Sequence, residues 1–327
     1  DGTVTRIFDK AANRDALAGR ANQLWAYVDK PRSWDAWDVD ETYERDGEEI
    51  GGVSKVDVTE SGPLRASVRV ERTWRQSKIV QTYRLWAHSR RLDIETEIDW
   101  HQRQVLLKAL FPLNVRTTYA TFETMYGVVT RATHRNTSWD QARFEGSAHR
   151  FADLSEPGYG AAVLNNAKYA YGVHDNVLNL SLLRSPMYPD ALADEGEHRF
   201  TYSIYPHPGN WTEAGVTAEA FQLNSPLVVV PAGEKAKPSS FVTVSGLEVG
   251  LGSLKLAESG DGAVLRIYEP HGARGQTTLT FDRRVKSVKR VNLLEDVQEG
   301  AAPTVKEGST ISLDLRPFEV VSLQLGF

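Results

Sequence analysis

The chain has 327 residues, enough for one large or two ordinary domains, and its 41% hydrophobic and 25% charged residues suit a globular protein with its own core. A formal net charge of −5 and an isoelectric point near 6.0 argue against a general nucleic-acid binder, whose affinity comes from clustered Lys and Arg neutralising phosphates. No apolar run is long enough to span a bilayer as a helix, and the lack of cysteine excludes disulfides, thiolate metal sites and a Cys nucleophile, which suits the expected cytoplasmic location.

The chain begins at Asp1 with neither an initiator Met nor a signal peptide, and Asp1–Phe8 already reads as turn then strand, so a piece of a longer protein is expected. Asp9–Arg20 is expected to form at most a turn or two of helix. From there the sequence reads as all-β. Val53–Val58, Ala66–Thr73, Lys78–Ala87 and Arg91–Asp99 alternate apolar and polar residues. In the last of these Leu92, Ile94, Thr96 and Ile98 share one face and Asp93, Glu95, Glu97 and Asp99 the other, the period of a sheet with one buried side. Asp46-Gly47, Gly51-Gly52, Ser61-Gly62-Pro63, Pro157-Gly158, Pro208-Gly209 and Gly260-Asp261-Gly262 mark turns between the runs. The strand–helix alternation of a parallel α/β sheet is missing. The polar, Pro-bearing stretch Pro231–Ser240 is the expected boundary between a large β unit, residues 1–237, and a small β-sandwich, residues 238–327. The second part carries short runs at Phe241–Val244, Leu251–Leu256, Ala263–Tyr268, Thr277–Phe281, Val285–Asn292, Thr310–Leu315 and Glu319–Leu325.

Four segments concentrate chemistry. Asp29–Asp40 holds Trp34, Asp35, Trp37 and Asp38; indole faces stack on sugar rings and carboxylates accept sugar hydroxyl protons, but Trp also covers cores and Asp also caps turns. Arg131–Glu145 surrounds Trp139 with Arg131, His134, Arg135 and Asp140, a polar density that fits either a site or an ordered interface loop. Asp153–Gly160 reads as a tight turn feeding a strand. The fourth runs from Leu180–Pro186 through Asp194–His198 to Tyr205–Gly209. Its histidines, like the rest of the 8, show neither HExxH nor HxH spacing and read as hydrogen-bonded structural residues. No GxSxG elbow, P-loop or GxGxxG occurs. Glycosidases pair two carboxylates across the scissile bond, and spacing in a β protein does not say which two face each other.

Taken in order, Gly19–Leu24, Asp29–Asp40, Leu106–Val115, Arg131–Glu145, Asp153–Gly160, Leu180–Pro186, Pro189–His198 and Tyr205–Trp211 resemble the C-terminal region of glycoside hydrolase family 38, the α-mannosidases, in its cytosolic, vacuolar and bacterial branch. The likeness is looser after Pro238. It implies a galactose-mutarotase-like super-sandwich followed by the smaller β-sandwich. It also implies a parent whose N-terminal barrel-like and helical domains carry an Asp nucleophile and a divalent metal, typically zinc. Such enzymes are retaining and pass through a covalent mannosyl-enzyme, with the metal on the sugar 2- and 3-hydroxyls. The family's His-x-Asp metal signature has no counterpart here; His149-Arg150-Phe151, for example, lacks the Asp. No catalytic residue and no metal ligand is therefore carried over, and the chain alone is expected to hydrolyse no mannoside.

The implied partners are the N-terminal catalytic and helical domains of the same polypeptide and a mannose-containing glycan, with no nucleic acid and no membrane; pairing with a second copy stays open. Trp34, Asp35, Trp37, Asp38, Arg131, His134, Arg135, Trp139 and Asp140 are expected to wall the sugar site or line the domain interface. In that reading Trp34 or Trp37 offers a stacking face, and Arg131, His134 or Arg135 holds carboxylates of the barrel. Two other functions compete with this one. A free-standing carbohydrate-binding module would bind sugar in isolation. A sugar epimerase on the same sandwich would need an acid–base pair, such as His134 with Glu145 or His174 with Glu156.

Overall fold

The alternating runs become strands. In the strand Leu92–Trp100, Ile94, Thr96, Ile98 and Trp100 are buried while Glu97 and Asp99 face solvent. Asp93 breaks the pattern. It is buried because it accepts from Arg91 Nε at 2.6 Å and Ser203 Oγ at 2.7 Å. The structure is a computed structural model that describes residues 1–231, 238–300 and 303–327. The middle of the expected linker, residues 232–237, and with it the expected boundary at 237, lie outside the described residues.

Two compact units are present, Asp1–Glu123 with Val129–Leu227, and Thr124–Val128 with Val228–Phe327. In the first, Val53–Ser61, Arg65–Trp74, Ser77–Trp86 and Leu92–Trp100 follow one another as antiparallel neighbours at one side of a 9-stranded sheet. The long strand Gly196–Pro208 joins them to Tyr159–Asn165, and beyond it lie Phe151–Glu156, Tyr119–Thr124 and Gly127–Ala132. A 6-stranded sheet runs Gly146–Ser147, Ala170–His174, Val177–Leu183, Val105–Pro112, Gln23–Val28, Gly47–Glu49. One apolar cluster draws on both sheets, with Ile79, Ile94 and Ile98 from the larger and Leu107, Phe111, Leu178 and Leu180 from the smaller. That is the sandwich arrangement: two inner faces sharing one core.

The second unit is a smaller sandwich of two 4-stranded sheets. Val242–Gly246, Gly275–Phe281, Thr310–Leu315 and Val305–Lys306 form one; Gly250–Leu256, Ala263–Tyr268, Val320–Gly326 and Ser287–Val291 form the other. Leu265, Ile267, Leu279, Ile311, Leu323 and Leu325 fill the space between them.

Asp9–Arg20 is not helical. Phe8–Asp9 pairs with Arg14–Asp15 as a short hairpin. The buried Asp9 carboxylate accepts from Ala11 N at 3.0 Å and Ala12 N at 3.1 Å, and Asn13 sits at φ 51. An Asx-type turn with a left-handed Asn ends any helical run there. Helix appears instead at Ser138–Gln141 and Val216–Asn224, where the sequence reading placed none. The latter lies on the strands Phe151–Glu156 and Tyr159–Asn165.

Candidate functional site

The segment Asp29–Asp40 is an irregular loop whose shape is fixed from outside. Asp29 is 2% exposed and pairs with Arg184, whose Nε lies 2.5 Å from Oδ2. The same guanidinium donates to Ala36 O at 3.0 Å and to Asp38 O. Asp35 Oδ2 accepts from Met187 N at 2.6 Å and Tyr188 N at 3.2 Å. Asp194 Oδ2 anchors the other strand of this clasp, accepting from Arg184 N at 2.9 Å and Ser185 N at 3.0 Å. Burial pushes the Asp29 carboxyl up, and Arg184 opposes that shift. The first and fourth chemistry-rich segments are thus one assembly. On it Trp34 is 70% and Trp37 66% exposed, with Trp37 at 6.4 Å from the Tyr188 ring. Large apolar side chains held in water by a built loop are candidates for contact with something else.

The segment Arg131–Glu145 is held the same way, by different partners. Arg135 grips Glu44 with two bonds of 2.8 and 2.9 Å. That bond is the main reason the Glu44 carboxyl sits below the usual carboxylate range. Next to it Lys108, wholly buried, donates to Tyr43 Oη at 3.0 Å and to Glu145, while Tyr43 Oη donates to Glu145 Oε1 at 2.8 Å. Tyr27 packs edge-on to Tyr43 at 5.2 Å, and burial with Glu44 and Glu145 nearby pushes its phenol up to about 12. Asp140 closes a capping box with Thr137 on the one-turn helix Ser138–Gln141, and leaves Trp139 74% exposed. His134 Nδ1 lies 3.4 Å from Asp140 Oδ2. Arg131 lies over the Phe122 ring at 5.3 Å.

Two concavities border this second segment. A cleft of about 860 Å³ is lined by Arg14, Asn114, Arg116, Thr133, His134 and Asp175, among others. A smaller cavity of about 350 Å³ is lined by Tyr119, Thr130, Arg131, His134, Asp140 and Arg143. The two share His134.

The two loops are each braced, but no hydrogen bond, ion pair or ring contact joins Trp34 or Trp37 to Arg131, His134 or Trp139 among the described residues. Sequence reading missed Lys108, Tyr43 and Glu44 as braces. Lys108 did carry a signal: it is a lone cation inside the apolar run Val105–Pro112. The carboxylates considered for acid–base work are engaged elsewhere. Glu145 bonds Lys108 and Tyr43, and Glu156 bonds Arg14 Nη1 at 2.8 Å and Arg116 N at 2.8 Å. Among the described residues no group of three or more His, Asp or Glu is arranged to hold a metal ion, so the zinc that the resemblance implies has no fitting ligand set in them. No helix among them is long and apolar enough to cross a membrane.

Two family models match, "Glycosyl hydrolases family 38 C-terminal domain" over residues 1–192 and "Glycosyl hydrolases family 38 C-terminal beta sandwich domain" over residues 248–323. Alpha-mannosidase 2C1 of Homo sapiens is 39% identical over 99% of this chain and 32% of its own length. The alpha-mannosidase of Saccharomyces cerevisiae is 33% identical over 100% of this chain and 33% of its own. The chain thus spans about a third of the length of these relatives. In fold it is similar to the crystal structure of an alpha-mannosidase from Enterococcus faecalis, with a TM-score of 0.77 and 17% identity over 98% of this chain and 40% of that one.

Proposed function

From the premise that this chain belongs to glycosyl hydrolase family 38, as its C-terminal region, we propose that it is the non-catalytic β portion of an α-mannosidase polypeptide. In this reading it supports a metal-dependent catalytic part elsewhere in the same polypeptide and lends loops to the wall of the site for a mannose-containing glycan. The observation that carries the reading is the pair Trp34 and Trp37, 70% and 66% exposed on a loop whose backbone is clamped by Arg184 and whose Asp35 side chain is tied to Met187 N. A rigid loop presents an indole face to a pyranose at low entropic cost. The second loop presents Trp139, Arg131 and His134 beside a concave surface, as a domain interface or site wall requires.

The test uses the full-length polypeptide that carries this chain. Trp34→Ala and Trp37→Ala, separately and together, are expected to lower kcat/KM for an aryl α-mannoside by roughly tenfold or more while leaving the unfolding midpoint in place. Wild-type kinetics in the double variant would refute the wall assignment. A second reading, a carbohydrate-binding module in its own right, draws on the same exposed indoles. Calorimetric titration of the 327-residue chain with mannose oligosaccharides separates the two, because only a module binds without its neighbours.

A further inference from the structure

Several guanidinium groups of the first unit are paired with carboxylates. Arg135 holds Glu44, Arg150 donates from Nε to Glu123 Oε2 at 3.0 Å, and Arg184 holds Asp29. Arg131 and Arg143 are different. Both line the 350 Å³ cavity, and neither side chain has a hydrogen-bond or ion-pair partner among the described residues. Arg131 Nε is sealed from solvent with nothing to donate to, and so is His134 Nδ1, close to Asp140 but out of line for a bond. Buried donors without acceptors carry their full desolvation cost. The Arg131 charge is disfavoured first by burial and then by Arg143, a like charge close enough to be felt.

The local backbone makes room for this arrangement. A Cβ at Gly146 would lie 2.6 Å from both Arg131 Cζ and Nε, so only glycine lets the guanidinium lie where it does. The same guanidinium lies 5.3 Å from the Phe122 ring centroid. Asp140, the carboxylate among the lining residues, is turned to Thr137 through one of its oxygens. Its Oδ2 accepts from Thr137 Oγ1 at 2.8 Å and Thr137 N at 3.3 Å. Two guanidinium groups therefore border one cavity whose carboxylate, Asp140, pairs with neither of them.

We propose that Arg131 and Arg143 form an oxyanion-binding site, which takes one carboxylate or phosphate group in the cavity bordered by Tyr119, Thr130 and His134. A planar or tetrahedral oxyanion between the two guanidinium groups relieves their mutual repulsion and gives both an acceptor. The site goes beyond the reading given above. It stands on the cavity in this chain, whether or not the indoles face a sugar, and it brings in Arg143, which that reading does not use. The oxyanion comes either from a side-chain carboxylate in the remainder of the polypeptide or from a small anion in solution.

Calorimetric titration with inorganic phosphate, and separately with acetate, tests the site in the 327-residue chain and in the full-length polypeptide. The chain is expected to bind phosphate with one saturable event that weakens as NaCl is raised. Arg131→Gln and Arg143→Gln should each weaken it by roughly tenfold or more, and Arg131→Lys, which keeps the charge but not the fork, by less. Arg116→Gln, a charge lost from the neighbouring cleft, should leave it unchanged. Arg143 is exposed, so its variant reports even where Arg131→Gln fails to fold. Binding to chain and full-length protein alike identifies a free anion as the occupant. Binding to the chain alone identifies a carboxylate of the same polypeptide that already fills the site. Absence of binding to the chain, or a loss that follows Arg116→Gln rather than Arg131→Gln and Arg143→Gln, overturns the proposal. Mannoside turnover does not enter, so its failure and that of the wall assignment are read separately.

Discussion

Arg184 and Asp29 meet across a sequence separation of 155 residues, with the guanidinium Nε 2.5 Å from a carboxylate oxygen that the fold has taken out of water. The pair does more than neutralise charge, because the same guanidinium also holds the Ala36 and Asp38 carbonyls and so sets the path of the Trp34–Trp37 loop. Arg184→Met leaves Asp29 buried and unpaired. It is expected to cost about 3 kcal/mol in urea unfolding and to open the loop to protease. Adding Asp29→Asn should restore part of the stability, since the uncompensated charge is then gone, but not the protease resistance. A single variant within about 0.5 kcal/mol of wild type would show that water, not Arg184, satisfies Asp29.

Lys108 has no exposed surface and is held by Tyr43 and Glu145. Lys108→Met keeps the stem and removes the ammonium. It strands Glu145, whose second oxygen already has no partner. A loss of about 3 kcal/mol is expected from thermal or urea unfolding, with Lys108→Met/Glu145→Gln milder than the single variant. An equal or larger loss in the double variant would mean that Glu145 is not the residue Lys108 serves.

Much of the sandwich was readable because one buried face writes itself into sequence as a period of two, and Leu92–Trp100 shows it almost unbroken. The exception, Asp93, was not readable, because its burial depends on Ser203 from a neighbouring strand. The two candidate loops were readable as clusters of indole and charge, yet their braces were not. Glu44 and Arg135 are 91 residues apart, and Asp29 and Arg184 farther still. The sheet order brings them together by placing Val105–Pro112 between Gln23–Val28 and Val177–Leu183, a non-sequential arrangement that no local spacing encodes. The Asp9 hairpin was misread for a related reason: its Asx turn is fixed by a side chain bonding two backbone amides, whereas periodicity registers only apolar order.

Gly160 lies where the strand Tyr159–Asn165 passes the wholly buried His207, which is 2.8 Å from the equally buried Asp153. A Cβ at Gly160 would strike the imidazole and come within 2.5 Å of Ser155 Oγ. Gly160→Ala is therefore expected to destabilise by about 2 to 3 kcal/mol, although alanine suits a strand better than glycine does. Differential scanning calorimetry checks this. A stabilised variant would mean that His207 moves aside freely, contrary to its packing against Tyr205 at 5.7 Å.

The C-terminal sandwich carries its own acid sensitivity at Glu319. Burial pushes that carboxyl up, but the Arg316 backbone N–H and the guanidinium groups of Arg290 and Arg316 outweigh it and hold the group at about 2. Its folded value is below its ordinary one. The stabilisation it contributes is therefore fully present above about pH 4.5 and is lost as pH falls through about 2. Glu319→Gln removes that contribution at every pH. Wild type should then be the more stable protein at pH 6, and the gap between the two midpoints should close as pH is lowered from about 4.5 toward 2. Urea unfolding, followed by fluorescence at steps across that window, reads the gap directly. A difference independent of pH would assign the role of Glu319 to packing and to its bond with Arg316 N rather than to its charge.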